Sequence, residues 1–103
     1  MSGHRVEEKK LERRNIRIIV YGRDEDYYAY TIFQWLLEVK ELLENEYGIS
    51  IEAIRENVDF DVPVLEVKGK LAFAGFPGEE GYLIEHVKKV LEEVLDEDRD
   101  NHA

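Results

Sequence analysis

The sequence predicts one small α/β domain with the element order β-α-β-β-β-α and a mixed sheet. Two observations point there. Two long stretches, near 27–47 and 79–95, repeat apolar residues at helical spacing. Between and before them lie four short β-branched runs bounded by Gly and Pro. With 103 residues, 44% hydrophobic and 37% charged, the chain has the size and apolar content of one heavily ionised domain. Its organisation reads as a charged arm over 1–13, a domain over 14–95 and an acidic tail over 96–103.

The arm has Val6 and Leu11 as its only sizeable apolar side chains after Met1. Residues 15–21 (NIRIIVY) are apolar on both faces, Ile16, Ile18 and Val20 alternating with Ile19 and Tyr21, which suits a central strand. Gly22 ends it. Asp24, Glu25 and Asp26 then supply caps and negative charge for a helix N-terminus. Over 27–47, Tyr28, Ala29, Ile32, Trp35, Leu36, Val39, Leu42, Leu43 and Tyr47 form one stripe, opposite Gln34, Glu38, Glu41 and Asn45. Gly48 closes the helix.

Residues 49–55 (ISIEAIR) read as an edge strand, Ile49, Ile51 and Ala53 facing inward and Ser50, Glu52 and Arg55 facing water. Residues 62–67 and 71–74 form a hairpin turned at Gly69. The segment Gly75-Phe76-Pro77-Gly78 breaks the chain ahead of the last helix, whose core positions are Leu83, Ile84, Val87, Val90, Leu91 and Val94.

The net charge of -10 is unevenly placed: residues 1–17 hold six Lys/Arg against three Glu, leaving 8 basic and 21 acidic residues elsewhere. The body therefore repels phosphate backbones, and no nucleic-acid partner is expected. No run approaches the roughly 20 apolar residues of a membrane span, and the N-terminus is charged where a signal peptide is apolar. A cytoplasmic protein without a membrane partner is expected. The richness in Glu and Lys, with one Gln and one Met, matches compositions favoured by hyperthermophiles. Cysteine is absent, which rules out disulfides, thiolate nucleophiles and Cys-ligated metals.

Candidate catalytic groups are sparse. His4, His86 and His102 form no cluster, Ser2, Thr31 and Ser50 sit in no nucleophile elbow, and no phosphate-cradling loop is present. Asp24, Glu25 and Asp26 could bind a cation or act as acid/base groups, but helix capping explains consecutive acids more simply, and they lack the alternation of a calcium loop. No cofactor, metal or catalytic residue is expected. The first helix does carry an excess: Tyr30, Phe33 and Leu37 lie well off its main stripe, where one sheet cannot cover them. Either the arm folds over them through Val6 and Leu11, or they form the contact of a homodimer or protein partner.

A strand ending in Tyr21-Gly22, a helix, a second strand, Val62-Pro63-Val64, the Lys68-Gly69-Lys70 turn and a Gly75-Phe76-Pro77 lead into a closing helix together resemble the thioredoxin-like fold. The chain is similar in this pattern to small archaeal thioredoxin- and glutaredoxin-like proteins, and the resemblance spans about residues 15–95. It implies helices packed on a central sheet and a cis bond at Val62-Pro63 beside the loop that opens the first helix. Where redox members hold their Cys-x-x-Cys pair, this chain has Glu25-Asp26-Tyr27-Tyr28, with Glu25 and Tyr28 at the two cysteine positions. The usual helix between the second and third strands is missing or reduced to about six residues. At about 3.3 Å per residue these still reach roughly 20 Å, enough to pass one intervening strand about 10 Å across. The alternative is a direct hairpin between those strands, giving an unrelated α+β sandwich.

The expected function is a redox-inactive binding or scaffold module that self-associates. The alternatives are a peptide or small ligand at the vestigial pocket of Glu25, Tyr27, Tyr28, Val62 and Pro63, or an α+β domain with enzyme activity carried by its carboxylates.

Overall fold

The computed structural model describes residues 13–101. The chain runs β1 (Arg14–Gly22), α1 (Tyr27–Tyr47), β2 (Ile49–Asn57), β3 (Val64–Val67), β4 (Lys70–Ala74) and α2 (Glu80–Asn101). The four strands form one mixed sheet in the order β2-β1-β3-β4, with β2 parallel and β3 antiparallel to β1. The direct β2-β3 hairpin is therefore not formed.

Alternation in the strands sends one set of side chains to the helices. Ile16, Ile18 and Val20 of β1 are buried with Ile49, Ile51, Leu65, Val67 and Phe73. Both helices cover this one face, contributing Ala29, Ile32, Leu36, Val39 and Leu43 from α1 and Leu83, Val87, Val90, Leu91 and Val94 from α2 to the same core. Burial of such side chains is worth roughly 1.5–3 kcal/mol each and drives the sandwich together. Across α1 the buried arc is narrower than the apolar stripe: Leu42 is 59% and Tyr28 53% exposed. A helix lying on a sheet buries only the residues pointing down at it, so those on the flank stay in water.

On the opposite face, Asn15, Arg17, Ile19 and Tyr21 of β1 lie beside Glu66 and Lys68 around a shallow depression. No helix covers this face among the described residues. Polar ties bridge it instead: Asn15 and Arg17 to Glu52, and the Tyr21 hydroxyl donating to Glu66 at 2.8 Å. The Tyr21 phenol is raised above its ordinary pKa by that hydrogen bond, then by burial and the charges of Glu66 and Glu56.

Local chemistry sets the element ends. Asp26 caps α1 by accepting from the Tyr28 amide at 2.9 Å. Gly48, at φ 65°, ends the helix and hands the chain directly to β2. Lys68 and Gly69, at φ 50° and 81°, make the two-residue turn that closes the β3-β4 hairpin; positive φ at both central positions matches the right-handed strand twist.

Three expectations are corrected. Helix α2 continues to Asn101 rather than ending at Leu95; nothing after Leu95 is Gly or Pro, and Lys70 on β4 pairs with Glu97. Strand β3 begins at Val64, since Pro63 has no amide to extend the ladder. The Val62-Pro63 bond is trans, as no cis peptide occurs among the described residues. Trans is the intrinsically favoured isomer by about 0.5–1 kcal/mol, and the crossover closes with it. The segments holding Val6 and Leu11, and His4 and His102, lie outside the described residues.

Candidate functional site

The C-terminal end of β1 is where three connections meet. Gly22 sits so close beneath α1 that a Cβ there would lie 2.7 Å from that of Ala29. This close approach brings the helix N-terminus down onto the strand end. The β2-β3 connection crosses the same point: the Val58 amide donates to the Gly22 carbonyl at 3.1 Å, and the Asp24 amide to Asn57 at 3.1 Å. From the other side, Gly75 at the exit of β4 donates to the Pro63 carbonyl at 2.7 Å.

Between these segments opens a cleft of about 490 Å³. Glu25, Tyr27, Tyr28, Val62 and Pro63, the five residues grouped from the sequence, all line it, together with Arg23, Asp26, Phe60, Asp61 and Phe76. Its apolar surface is unusually accessible for aromatic side chains: Tyr27 is 72% exposed, and Phe60, Val62 and Phe76 are each more than a third exposed. The rings interlock. Phe76 packs between Tyr28 and Trp35 at 4.8 and 5.3 Å, and Tyr27 meets Tyr28 edge-on at 6.2 Å. Phe60 rests against Tyr21 at 6.0 Å.

Charge surrounds this floor. Arg23 pairs with Asp59 at 2.8 Å and with Asp61 at 3.4 Å, joining the loop before α1 to the 58–63 crossover. Asp26 is committed to its helix cap, whereas Glu25 is exposed at the rim. Among the described residues no group of three or more His, Asp or Glu is gathered to hold a metal ion.

Behind the cleft lies a residue that sequence reasoning misplaced. Arg55 follows the inward face of Ile49, Ile51 and Ala53 rather than the watered face of Glu52. Its guanidinium donates to the carbonyls of Gly22 and Arg23 at 3.0 and 2.6 Å, and to Glu56 and, at 3.4 Å, Val20. One cation thus fastens the end of β1 and the loop entering α1. Strict period-2 counting from Ile49 points to this face. The sequence-derived grouping omits Phe60 and Phe76, which also line the cleft; two large aromatics in short Gly- or Asp-flanked loops are the signal for them.

Comparison with known families, curated proteins and solved structures finds no match.

The other candidate surface is less continuous. Tyr30 and Leu37 are 56% and 43% exposed, but Phe33 packs against the core. The two exposed side chains stand about two helical turns apart. Below them the Glu44 carboxylate is buried and accepts from the Ile51 amide at 2.8 Å and from Lys40 at 3.2 Å. That contact occupies a main-chain donor on the edge strand β2.

Proposed function

We propose that this protein is a binding module built on a thioredoxin-like frame, and that the aromatic cleft at the N-terminus of α1 is where its partner docks. The observation that carries the reading is the cleft itself. Four aromatic side chains and Val62 remain accessible around one concavity, although the core beneath them is fully packed. Exposed apolar surface concentrated in a concave site is characteristic of recognition surfaces. A strand order with β1 between β2 and β3, parallel to the first and antiparallel to the second, supports the thioredoxin-like frame; the six-residue crossover in place of a helix, the trans Val62-Pro63 bond and the uncovered sheet face depart from it.

The absence of cysteine removes the redox chemistry of such a frame. What remains at the same place is a trough along the lip formed by Val62 and Pro63. A concavity floored by accessible aromatic rings suits a peptide segment that buries apolar side chains among them. Trp35, the only tryptophan, touches Phe76 and reports on the site. Titration with a pool of octapeptides followed by Trp35 emission should give saturable binding that Phe76→Ala weakens about tenfold or more, a typical loss for a buried aromatic anchor. Emission unresponsive to every member of the pool would refute the reading.

Self-association through Tyr30 and Leu37 is the second reading, favoured by their exposure on a helix. Sedimentation decides it: wild type heavier than Leu37→Glu supports a dimer, and two identical monomers exclude it.

A further inference from the structure

Resting on the reading of the cleft as a docking site, we infer that its occupant is basic: an extended segment of a partner protein that places Lys or Arg side chains beside an apolar one. Charge complementarity carries the inference. The lining holds three carboxylates, Glu25, Asp26 and Asp61, and a single cation, Arg23. That cation is already engaged, with its Nε on Asp59 and a terminal nitrogen on Asp61. Its charge is thus turned toward the crossover loop and balanced there. Asp24 adds a further negative charge beside the same loop, and the chain as a whole stands at -10.

The floor has the complementary chemistry. Exposed faces of Tyr and Phe attract ammonium and guanidinium groups that lie within about 6 Å of the ring centroid. Tyr27, Tyr28, Phe60 and Phe76 surround the concavity, with Glu25 and the fully exposed Asp61 on its rim. A Lys or Arg side chain entering here lays its aliphatic stem on the rings and holds its charge among the carboxylates. An acidic segment meets repulsion from Glu25 and Asp61, and a neutral one gains nothing from them. Long-range attraction to the acidic body would also speed the encounter with a basic partner.

Three acetylated, amidated octapeptides test this, each alternating Leu with Lys, with Gln or with Glu, and each followed by Trp35 emission. The Lys peptide should bind about tenfold more tightly than the Gln peptide, and the Glu peptide most weakly. The gap should shrink to about twofold between roughly 20 and 500 mM salt, as the screening length falls from about 20 to about 4 Å. The double variant Glu25→Gln/Asp61→Asn should bring the Lys peptide to the Gln peptide's affinity, while Glu41→Gln/Glu85→Gln, on exposed helix positions away from the cleft, should leave it unchanged. Equal affinity for the Lys and Gln peptides, both weakened by Phe76→Ala, would overturn the basic preference and leave the docking site standing. An equal loss in the remote double variant would reduce the preference to a general attraction and overturn it as well. Binding of none of the three peptides would remove the docking site itself.

Discussion

Replacing Arg55 by Met tests whether one guanidinium holds the cleft wall in place. Met keeps an apolar stem of similar length and removes all four carbonyl contacts. One of these, to Glu56, is to the adjacent residue and ties nothing distant, and the Val20 contact is long at 3.4 Å. The short bonds to Gly22 and Arg23, at 3.0 and 2.6 Å, carry the structural effect. A hydrogen bond from a charged donor contributes about 1.5–3 kcal/mol, but Arg55 is only partly buried, so water can replace part of each bond. Two bonds at about 1 kcal/mol each give a loss of about 2 kcal/mol, or roughly 10 °C in Tm for a domain of this size. Urea unfolding followed by circular dichroism measures the loss directly. Arg55→Lys should recover less than half of it, because an ammonium cannot span two carbonyls as a planar fork does. A change below about 0.5 kcal/mol in Arg55→Met would refute the assignment, since that is the scatter of an ordinary surface substitution.

Other outcomes follow from the same geometry. Gly22→Ala forces a Cβ to within 2.7 Å of Ala29; overpacking of this kind should cost about 1–3 kcal/mol in urea unfolding and displace the α1 N-terminus, so that peptide affinity falls as well. Glu44→Ala leaves the Ile51 amide without its acceptor on an edge strand; about 1–3 kcal/mol should be lost, and light scattering should show increased aggregation through the opened β2 edge. The Glu80 carboxyl is raised above the usual Glu range by its hydrogen bond to Glu38, then by burial and by that residue's charge. Between the ordinary and the raised pKa the folded state holds more protons than the unfolded chain, so stability falls as pH rises through that window. Glu80→Gln should accordingly raise Tm at neutral pH and lose that advantage in acid below the ordinary Glu pKa, which a thermal series across pH will show.

Local signals made much of this fold legible. Asp26 and Gly48 bracket α1 because capping is chemistry between neighbours, and Lys68-Gly69 specifies its turn for the same reason. Alternating β-branched residues identify β1 as central through Ile16, Ile18 and Val20. Where a residue's fate depends on what arrives from elsewhere in the chain, the sequence is silent or misleading. Leu42 fits the apolar stripe but lies beyond the sheet's reach. Arg55 looks like surface charge until the carbonyls of β1 surround it. Phe60 and Phe76 join Tyr28 at one cleft only because the 58–63 crossover and the β4 exit converge over Gly22. The 96–101 segment has no apolar residue to announce a helix, yet α2 continues because nothing stops it.

The place where a basic peptide touches the protein decides between the cleft and the other exposed surfaces. Amide chemical-shift mapping of the uniformly labelled chain, titrated with the Lys/Leu octapeptide, locates that contact without mutation. The predicted result is a set of shifts concentrated at residues 22–28, 58–63 and 75–76, with the Trp35 indole moving alongside them. Shifts centred instead on Tyr30 and Leu37, or on Arg17, Ile19 and Glu66 across the open sheet face, would contradict it.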